Sequence, residues 1–414
     1  MIRNIFAFIQ NPFSLERPAF HDNFTDLKLN EPLKFIYLAF FLNQLAIISM
    51  TLFIFKPIQP NLLMFLKSKR MFFGLFGLLM AGIGLLAFTT LPSVQKKKKM
   101  KVLIIDGQSN HGIWPKTTAM TKDYLEKTGL FIVDIARTKY LWLGPHSQMD
   151  STQLMQNYLK YTLTDKKYEV LKESKEDPDY SPDFAAYDVV ISNFGWKAAP
   201  LPVQTQKKLE AFVANGGGFI TLHAANNAWD DWKAFNEMTG LGGWGNRNET
   251  CGPYVYYDKE NKLVHDTTPG PGGSHGAQQE SMVINRVSEH PIMKGLPEKW
   301  MHTRDEIYDR LRGPAQNMTI LGTTFSDPTG NTPPWNKRVT GTDRHEPMYL
   351  TVNYKKGRVL NISSGHSDVS FECVGFKTLL ERGAEWAASG KVSQPVPGNF
   401  PTENAISKID WKKP

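Results

Sequence analysis

The sequence predicts an α/β domain, a parallel sheet sandwiched between helices, preceded by N-terminal membrane segments. Three observations carry that expectation. Short apolar runs end in glycine or a polar residue, as buried strands do; helical spacing fills the stretches between them; and two long apolar runs stand near the N-terminus.

The first ninety-nine residues differ in character from the rest. Phe35 to Phe55 and Met71 to Leu91 are each of about 20 residues, the length that spans the hydrocarbon layer as a helix. Residues 1–99 hold 12 Lys and Arg against 4 Asp and Glu, and residues 100–414 hold 36 of each, so the whole net charge of +8 flanks the apolar runs. The basic excess is therefore a topology signal, and nucleic acid is not an expected partner. Lys67, Lys69 and Arg70 ahead of the second run resemble the start of a secretion signal, with Met64 as an alternative start. With Met1 as the start, 56–70 becomes a basic cytoplasmic loop between two helices. Either arrangement sends the residues from Lys101 onward across the membrane, so an extracytoplasmic domain, released or membrane-anchored, is expected. Cys251 and Cys373 are compatible with one disulfide or with two free thiols.

From residue 100 the elements follow in order. Lys101 to Asp106 reads as a first buried strand closed by Gly107, Thr117 to Lys127 as a helix, and Phe131 to Ala136 as the next strand. Tyr140 to Asp183 is polar, broken by Asp177-Pro178 and Ser181-Pro182, and is expected to be a long loop. Tyr187 to Ser192 is a strand, and Val203 to Ala214 is a helix with Leu209, Phe212 and Val213 on one face. Gly216 to Gly218 then turn the chain into the strand Phe219 to Leu222. Strand, helix, strand at this spacing implies parallel pairing with right-handed crossovers, and places a ligand beyond the carboxyl ends of the strands.

Ala228 to Gly276 is rich in glycine and aromatics. Trp229, Trp232, Trp244, Tyr254, Tyr256 and Tyr257 offer faces for a sugar ring or simply pack a loop-rich lobe. Strands are expected at Gln279 to Val287, Thr319 to Thr324, Met348 to Asn353 and Gly357 to Ile362, and a closing helix at Val374 to Ala388. The domain thus runs over 100–392, and a proline-rich tail, 393–414, looks peripheral.

Three histidines follow predicted strands: His111, beside Asn110; His223; and His366. Asp305 and Glu306 lie in the unassigned stretch Thr303 to Tyr308. One histidine at a strand end is usually structural. Three at the same end of one parallel sheet are brought to one cleft, where imidazoles act as base, acid or metal ligand and a carboxylate orients or assists them. Three separate structural histidines are the alternative. Asn110, Trp114, His275, Arg344 and Glu346 are the candidate substrate contacts. Gly272 to His275 is no phosphate loop, since the Gly-Lys-Ser/Thr that one needs is missing.

The segments Gly216–Ala225 (Gly-Gly-Gly-Phe-Ile-Thr-Leu-His-Ala-Ala), His290–Pro297, Asp305–Tyr308 and Lys356–His366 resemble, in order, the motifs of the ThuA (trehalose-utilisation) family, and the likeness extends from about Lys101 to Val392. The resemblance implies a flavodoxin-like fold similar to class I glutamine amidotransferases, a role in catabolism of trehalose and related glucosides, and site positions at His111, His223, Asp305, Glu306 and His366. It also exposes a departure: glutaminases need a Cys nucleophile on the tight turn after a central strand, and here that turn reads Leu222-His223-Ala224. An isomerase or lyase step on a keto-sugar by His/carboxylate chemistry is the leading expectation. A hydrolase using the three histidines to hold a divalent metal, the one cofactor considered, and a non-catalytic carbohydrate-binding module are its rivals.

Overall fold

Alternation along the central strands decides the architecture. In β1 (Met100–Gln108), Val102 and Ile104 point into one apolar layer and Leu103 and Ile105 into the other, so the strand is covered on both faces. The computed structural model describes residues 98–144, 160–161, 168–333 and 336–414. The apolar runs at 35–55 and 71–91 lie outside them. Among the described residues no helix is long and apolar enough to cross a membrane.

The strands that follow are β2 (Phe131–Trp142), β3 (Glu169–Leu171), β4 (Val189–Ser192), β5 (Gly218–Leu222), β6 (Tyr254–Tyr257) and β7 (Leu263–Asp266). After them come β8 (Ser274–His275), β9 (Gln279–Asn285), β10 (Lys299–Asp305), β11 (Tyr308–Asp309), β12 (Met318–Ser326), β13 (Arg344–Tyr354) and β14 (Gly357–Ile362). The helices are α1 (Trp114–Lys127), α2 (Val203–Ala214), α3 (Lys233–Thr239), the single turn α4 (Asp368–Phe371) and α5 (Val374–Ser389).

The main sheet is mixed rather than purely parallel. Its order is β10-β9-β12-β13-β14-β5-β4-β1-β2-β3, with β6 and β7 added beside β13, and β8 with β11 forms a separate small ribbon. From β14 to β3 every pairing is parallel; from β14 to β10 every pairing is antiparallel. Within the parallel half the chain leaves β1 for β2 on one side and returns to β4 on the other. That reversal is the crevice where doubly wound sheets bind ligands.

One face of the sheet carries α1 and α5, whose Met120, Tyr124, Leu379 and Leu380 pack with Ile220, Leu222, Leu360 and Ile362. The other carries α2 and α3, with Leu209, Val213, Phe235 and Met238 against Val190, Phe219 and Val359. Each such aliphatic side chain contributes about 1.5–3 kcal/mol of burial. Gly390 (φ 72°) closes α5 in the left-handed conformation that ends helices cheaply. Arg137 on β2 grips Asp106 on β1 through two 2.7 Å bonds, and Thr118 of α1 donates to the same carboxylate, so the first strand, helix and second strand are locked as a unit.

Several expectations are corrected. The loop expected from Tyr140 begins later, because β2 continues to Trp142 and pairs with β3 over Tyr140–Trp142. The tail is not peripheral: Trp411 is buried and donates to Asp123 Oδ2 at 2.9 Å, while Val396 and Phe400 pack on the core. Three apolar anchors spaced among prolines gave no periodic signal. Cys251 and Cys373 are both free thiols.

Candidate active site

The carboxyl ends of β1, β5 and β14 deliver three of the predicted residues. β1 leads through Gln108 to Asn110 and His111, β5 ends directly in His223, and β14 leads through Ser363 and Ser364 to Gly365 and His366. Glu306 arrives from the antiparallel half, just after β10. Ligand atoms of His111, His223, Glu306 and His366 all lie within 4.8 Å of one another. The three rings meet edge to face, with centroids 4.7 Å apart for His111–His223, 4.6 Å for His111–His366 and 5.5 Å for His223–His366.

His223 sits at φ 49°, a left-handed conformation that a side-chain-bearing residue adopts only when its surroundings impose it. The turn is braced from beneath: Asn226 donates to Asn361 and Ser363, and Asn361 in turn donates to the carbonyls of Thr239 and Leu241. His223 Nδ1 donates to the Ser363 carbonyl at 2.7 Å, since a carbonyl can only accept, and Nε2 faces the Tyr308 hydroxyl at 2.7 Å.

Glu306 is the hub. Its Oε1 is 2.9 Å from His366 Nδ1 and 3.3 Å from His275 Nδ1, and its Oε2 is 3.6 Å from His223 Nε2. The His366 approach is short but oblique to the N–H direction, so the attraction is that of an ion pair more than of a linear hydrogen bond. Burial by itself would raise the Glu306 pKa, but the histidines around it outweigh burial and hold it well below the carboxylate range. Burial works against a charge on His366 too, and the Glu306 contact overcomes it, raising His366. His111 is pushed the other way, well below the usual imidazole value, by burial and then by its histidine neighbours. A charged pair beside a neutral imidazole is the arrangement in which one group holds a proton and another accepts one.

Asp305 takes a different part from the one expected of it. Oδ2 accepts from His302 Nε2 at 2.8 Å and from the Gly365 amide at 2.8 Å; Oδ1 accepts from the amides of His366 at 3.0 Å and Glu306 at 2.9 Å. Both oxygens are saturated, so Asp305 fixes the backbones that carry Glu306 and His366. His302, missed in the sequence because it lies within a strand rather than at its end, backs this anchor. Burial disfavours its charge, but Cys373 and Asp305 overcome that and lift it to about 10, while the Cys373 thiol, which burial alone would raise, is brought down to about 7 by His302.

Gly365 (φ 119°) is required where the chain passes this anchor. A methyl group there would meet Phe371 at 3.1 Å and Phe376 at 3.3 Å. Gly365→Ala is expected to destabilise the fold by about 1–3 kcal/mol through backbone strain, measurable as a shift in the urea midpoint.

Of the candidate substrate contacts, the structure brings two to the cluster. His275, on β8, pairs with Tyr308 on β11 and faces Glu306. Asn110 Nδ2 is 3.5 Å from His111 Nε2, and its Oδ1 is buried without a partner. The other three are corrected. Trp114, 1% exposed, is core: its indole donates to the Trp142 carbonyl and Arg137 stacks on its ring. Arg344 and Glu346 belong to β13, not to a loop; they pair at 2.7 Å, and Arg344 lies over Tyr256. Among the aromatics expected either to stack on sugar or to fill the lobe, Trp229, Trp232 and Tyr254 are buried packing residues. Trp244 is half-buried and lies 4.7 Å from Tyr308 and 5.8 Å from His275, ring to ring, as the flat wall beside the cluster.

No curated protein matches the chain. Among solved structures, a ThuA-like protein from Parabacteroides merdae is 37% identical, with 75% of this chain and 98% of that chain covered and a TM-score of 0.62. A ThuA-like protein from Bacteroides uniformis is 18% identical over 73% of this chain and 96% of that one, with a TM-score of 0.42, too low to bear on the fold or the chemistry. The sequence profile described as ThuA, trehalose utilisation, matches residues 101–387, which takes in every strand and histidine of the cluster. With that span and the Parabacteroides relative together, the chain belongs to the ThuA family.

Proposed function

We propose that this protein is an enzyme of carbohydrate catabolism that converts a sugar or keto-sugar by proton transfer at the His111–His223–Glu306–His366 cluster. The observation that carries the reading is the convergence of these four groups, from four separate segments, within 4.8 Å at the carboxyl ends of the parallel strands. Structural histidines have no reason to gather around one ionised carboxylate; acid–base chemistry does. The half-buried Trp244 beside the cluster suits an uncharged polyol ring, whose C–H face packs on an aromatic plane. Leaving aside the three-residue edge strand β3, the parallel half runs β2-β1-β4-β5-β14, the strand order of flavodoxin-like sheets, which supports the flavodoxin-like, amidotransferase-like reading of that half.

Glutaminase chemistry is not part of the proposal. The turn after β5 presents His223 where a thiol would be needed; Cys373 is fully buried and Cys251 lies in a separate short helical turn. The net charge gathered before residue 100 and the apolar runs there support an extracytoplasmic domain over 100–392, attached to or exported through a membrane by 1–99.

Incubation with a panel of 3-keto-glucosides and their parent glucosides, followed by NMR, tests the reading. At least one keto-sugar is expected to be isomerised or cleaved, and glutamine is expected to release no ammonia. Absence of any product across the panel would remove the enzymatic claim.

A further inference from the structure

We propose that His111, His223, His366 and Glu306 together bind one divalent first-row transition ion of the zinc or cobalt kind. The inference rests on the reading of this cluster as the reaction centre, and it adds an ion to that centre.

Geometry comes first. Each residue offers one donor atom from its own segment of chain, and all four lie within 4.8 Å of one another. Ligand bonds of about 2.0–2.2 Å at the tetrahedral angle put two donors on one ion roughly 3.3–3.6 Å apart. Glu306 Oε2 to His223 Nε2, at 3.6 Å, already falls in that range, and the other oxygen of the same carboxylate, Oε1, lies 2.9 Å from His366 Nδ1. The widest separation, up to 4.8 Å, needs to close by roughly 1.2 Å, which side-chain rotation supplies.

Hydrogen bonding is the second argument. Three imidazoles pack edge to face, yet no hydrogen bond joins one ring to another among the described residues, and the Glu306 carboxylate contacts His223 and His366. His111 Nδ1 is sealed from solvent with no partner at all. A buried nitrogen left unpaired is unfavourable, and a cation in the gap between the donors removes the defect.

The surroundings of the donors make the third. His223 gives its Nδ1–H to the Ser363 carbonyl, the outer contact that fixes a ligating histidine with its other nitrogen inward. Asp305 holds the amides of Glu306, Gly365 and His366, so two of the four donors hang from one buried anchor. Three nitrogens to one oxygen favour ions of borderline softness over calcium or magnesium, which prefer all-oxygen shells.

The Tyr308 hydroxyl contacts the same His223 nitrogen that an ion would take. Tyr308→Phe is therefore expected to bind the ion as tightly as the unaltered protein, or more so. Such an ion would supply polarisation of a sugar carbonyl or hydroxyl oxygen at the cluster, beside Tyr308 and His275.

The test uses the full chain, purified without a polyhistidine tag, stripped with a chelator and titrated with Co²⁺ and Zn²⁺ in the absence of sugar. Cobalt is followed by its visible bands and zinc by calorimetry. About one ion per chain is expected, with affinity reduced at least about tenfold in His111→Ala and His366→Ala and undiminished in Tyr308→Phe. Should either alanine variant unfold by circular dichroism, Glu306→Gln, of matched volume, replaces it with the same expectation. No saturable binding of either ion to the unaltered protein, or binding that these substitutions leave unchanged, overturns the proposal. Binding is read without substrate, so a blank sugar panel would leave it standing, and a blank titration would leave the sugar reading standing.

Discussion

Glu306→Gln is expected to lower turnover of a keto-sugar by about 10²–10⁴-fold, the range over which a positioned acid or base acts. The substitution keeps the shape of the side chain and removes its charge. Glu306 faces His366, His275 and His223 at once, and is held ionised only because those histidines outweigh the effect of burial. A neutral amide cannot sustain the charge on His366, so both halves of the proton-carrying pair are lost together. Single-turnover rates of the two proteins on the same sugar, with circular dichroism as the control for folding, measure the effect.

Asp305→Ala is expected to act on stability as strongly as on activity. The carboxylate accepts from His302 and from three backbone amides, all buried but the His366 amide, which is partly so. Its removal strands an imidazolium and three N–H groups, for which about 3–5 kcal/mol of destabilisation is expected, read from urea unfolding. The pH dependence has a definite sign. Burial would raise the Asp305 pKa, but His302 and the amides outweigh it and bring it below 3.8. A carboxyl whose folded pKa is depressed stabilises the fold above its ordinary value, and that share disappears as the pH falls through the lowered one. The unaltered protein is thus expected to lose this share of its stability below about pH 4, and Asp305→Ala to show none of that acid-dependent loss.

The parts of this molecule that were legible in the sequence are those where one residue type answers to one local cause. The runs 102–105, 189–192 and 219–222 are apolar because both faces of their strands are covered, and His111, His223 and His366 stood out because they follow such runs directly. The antiparallel half was harder. β10 (Lys-Trp-Met-His-Thr-Arg-Asp) buries His302, Thr303 and Asp305, whose partners lie in the loop after β14 and in the buried Cys373, so its burial has no apolar signature. Asp305 and Glu306 read alike as neighbouring acids. Only the fold separates them, because successive side chains leave the strand end in opposite directions, one toward the 365–366 backbone and one toward the imidazoles. Trp114 and Arg344 drew notice as an aromatic and a charge near strand ends, but each has its partner in the packing of the scaffold: Arg137 in one case, Glu346 and Tyr256 in the other.

Proton exchange in D₂O tests the central claim most directly. A 3-keto-glucoside incubated with the unaltered protein is expected to take up deuterium at the carbon beside its carbonyl, visible by NMR, and Glu306→Gln is expected to suppress that uptake to the rate in buffer. Uptake at equal rates in both proteins, or in neither while product still forms, would show that the His–Glu cluster is not where the proton moves.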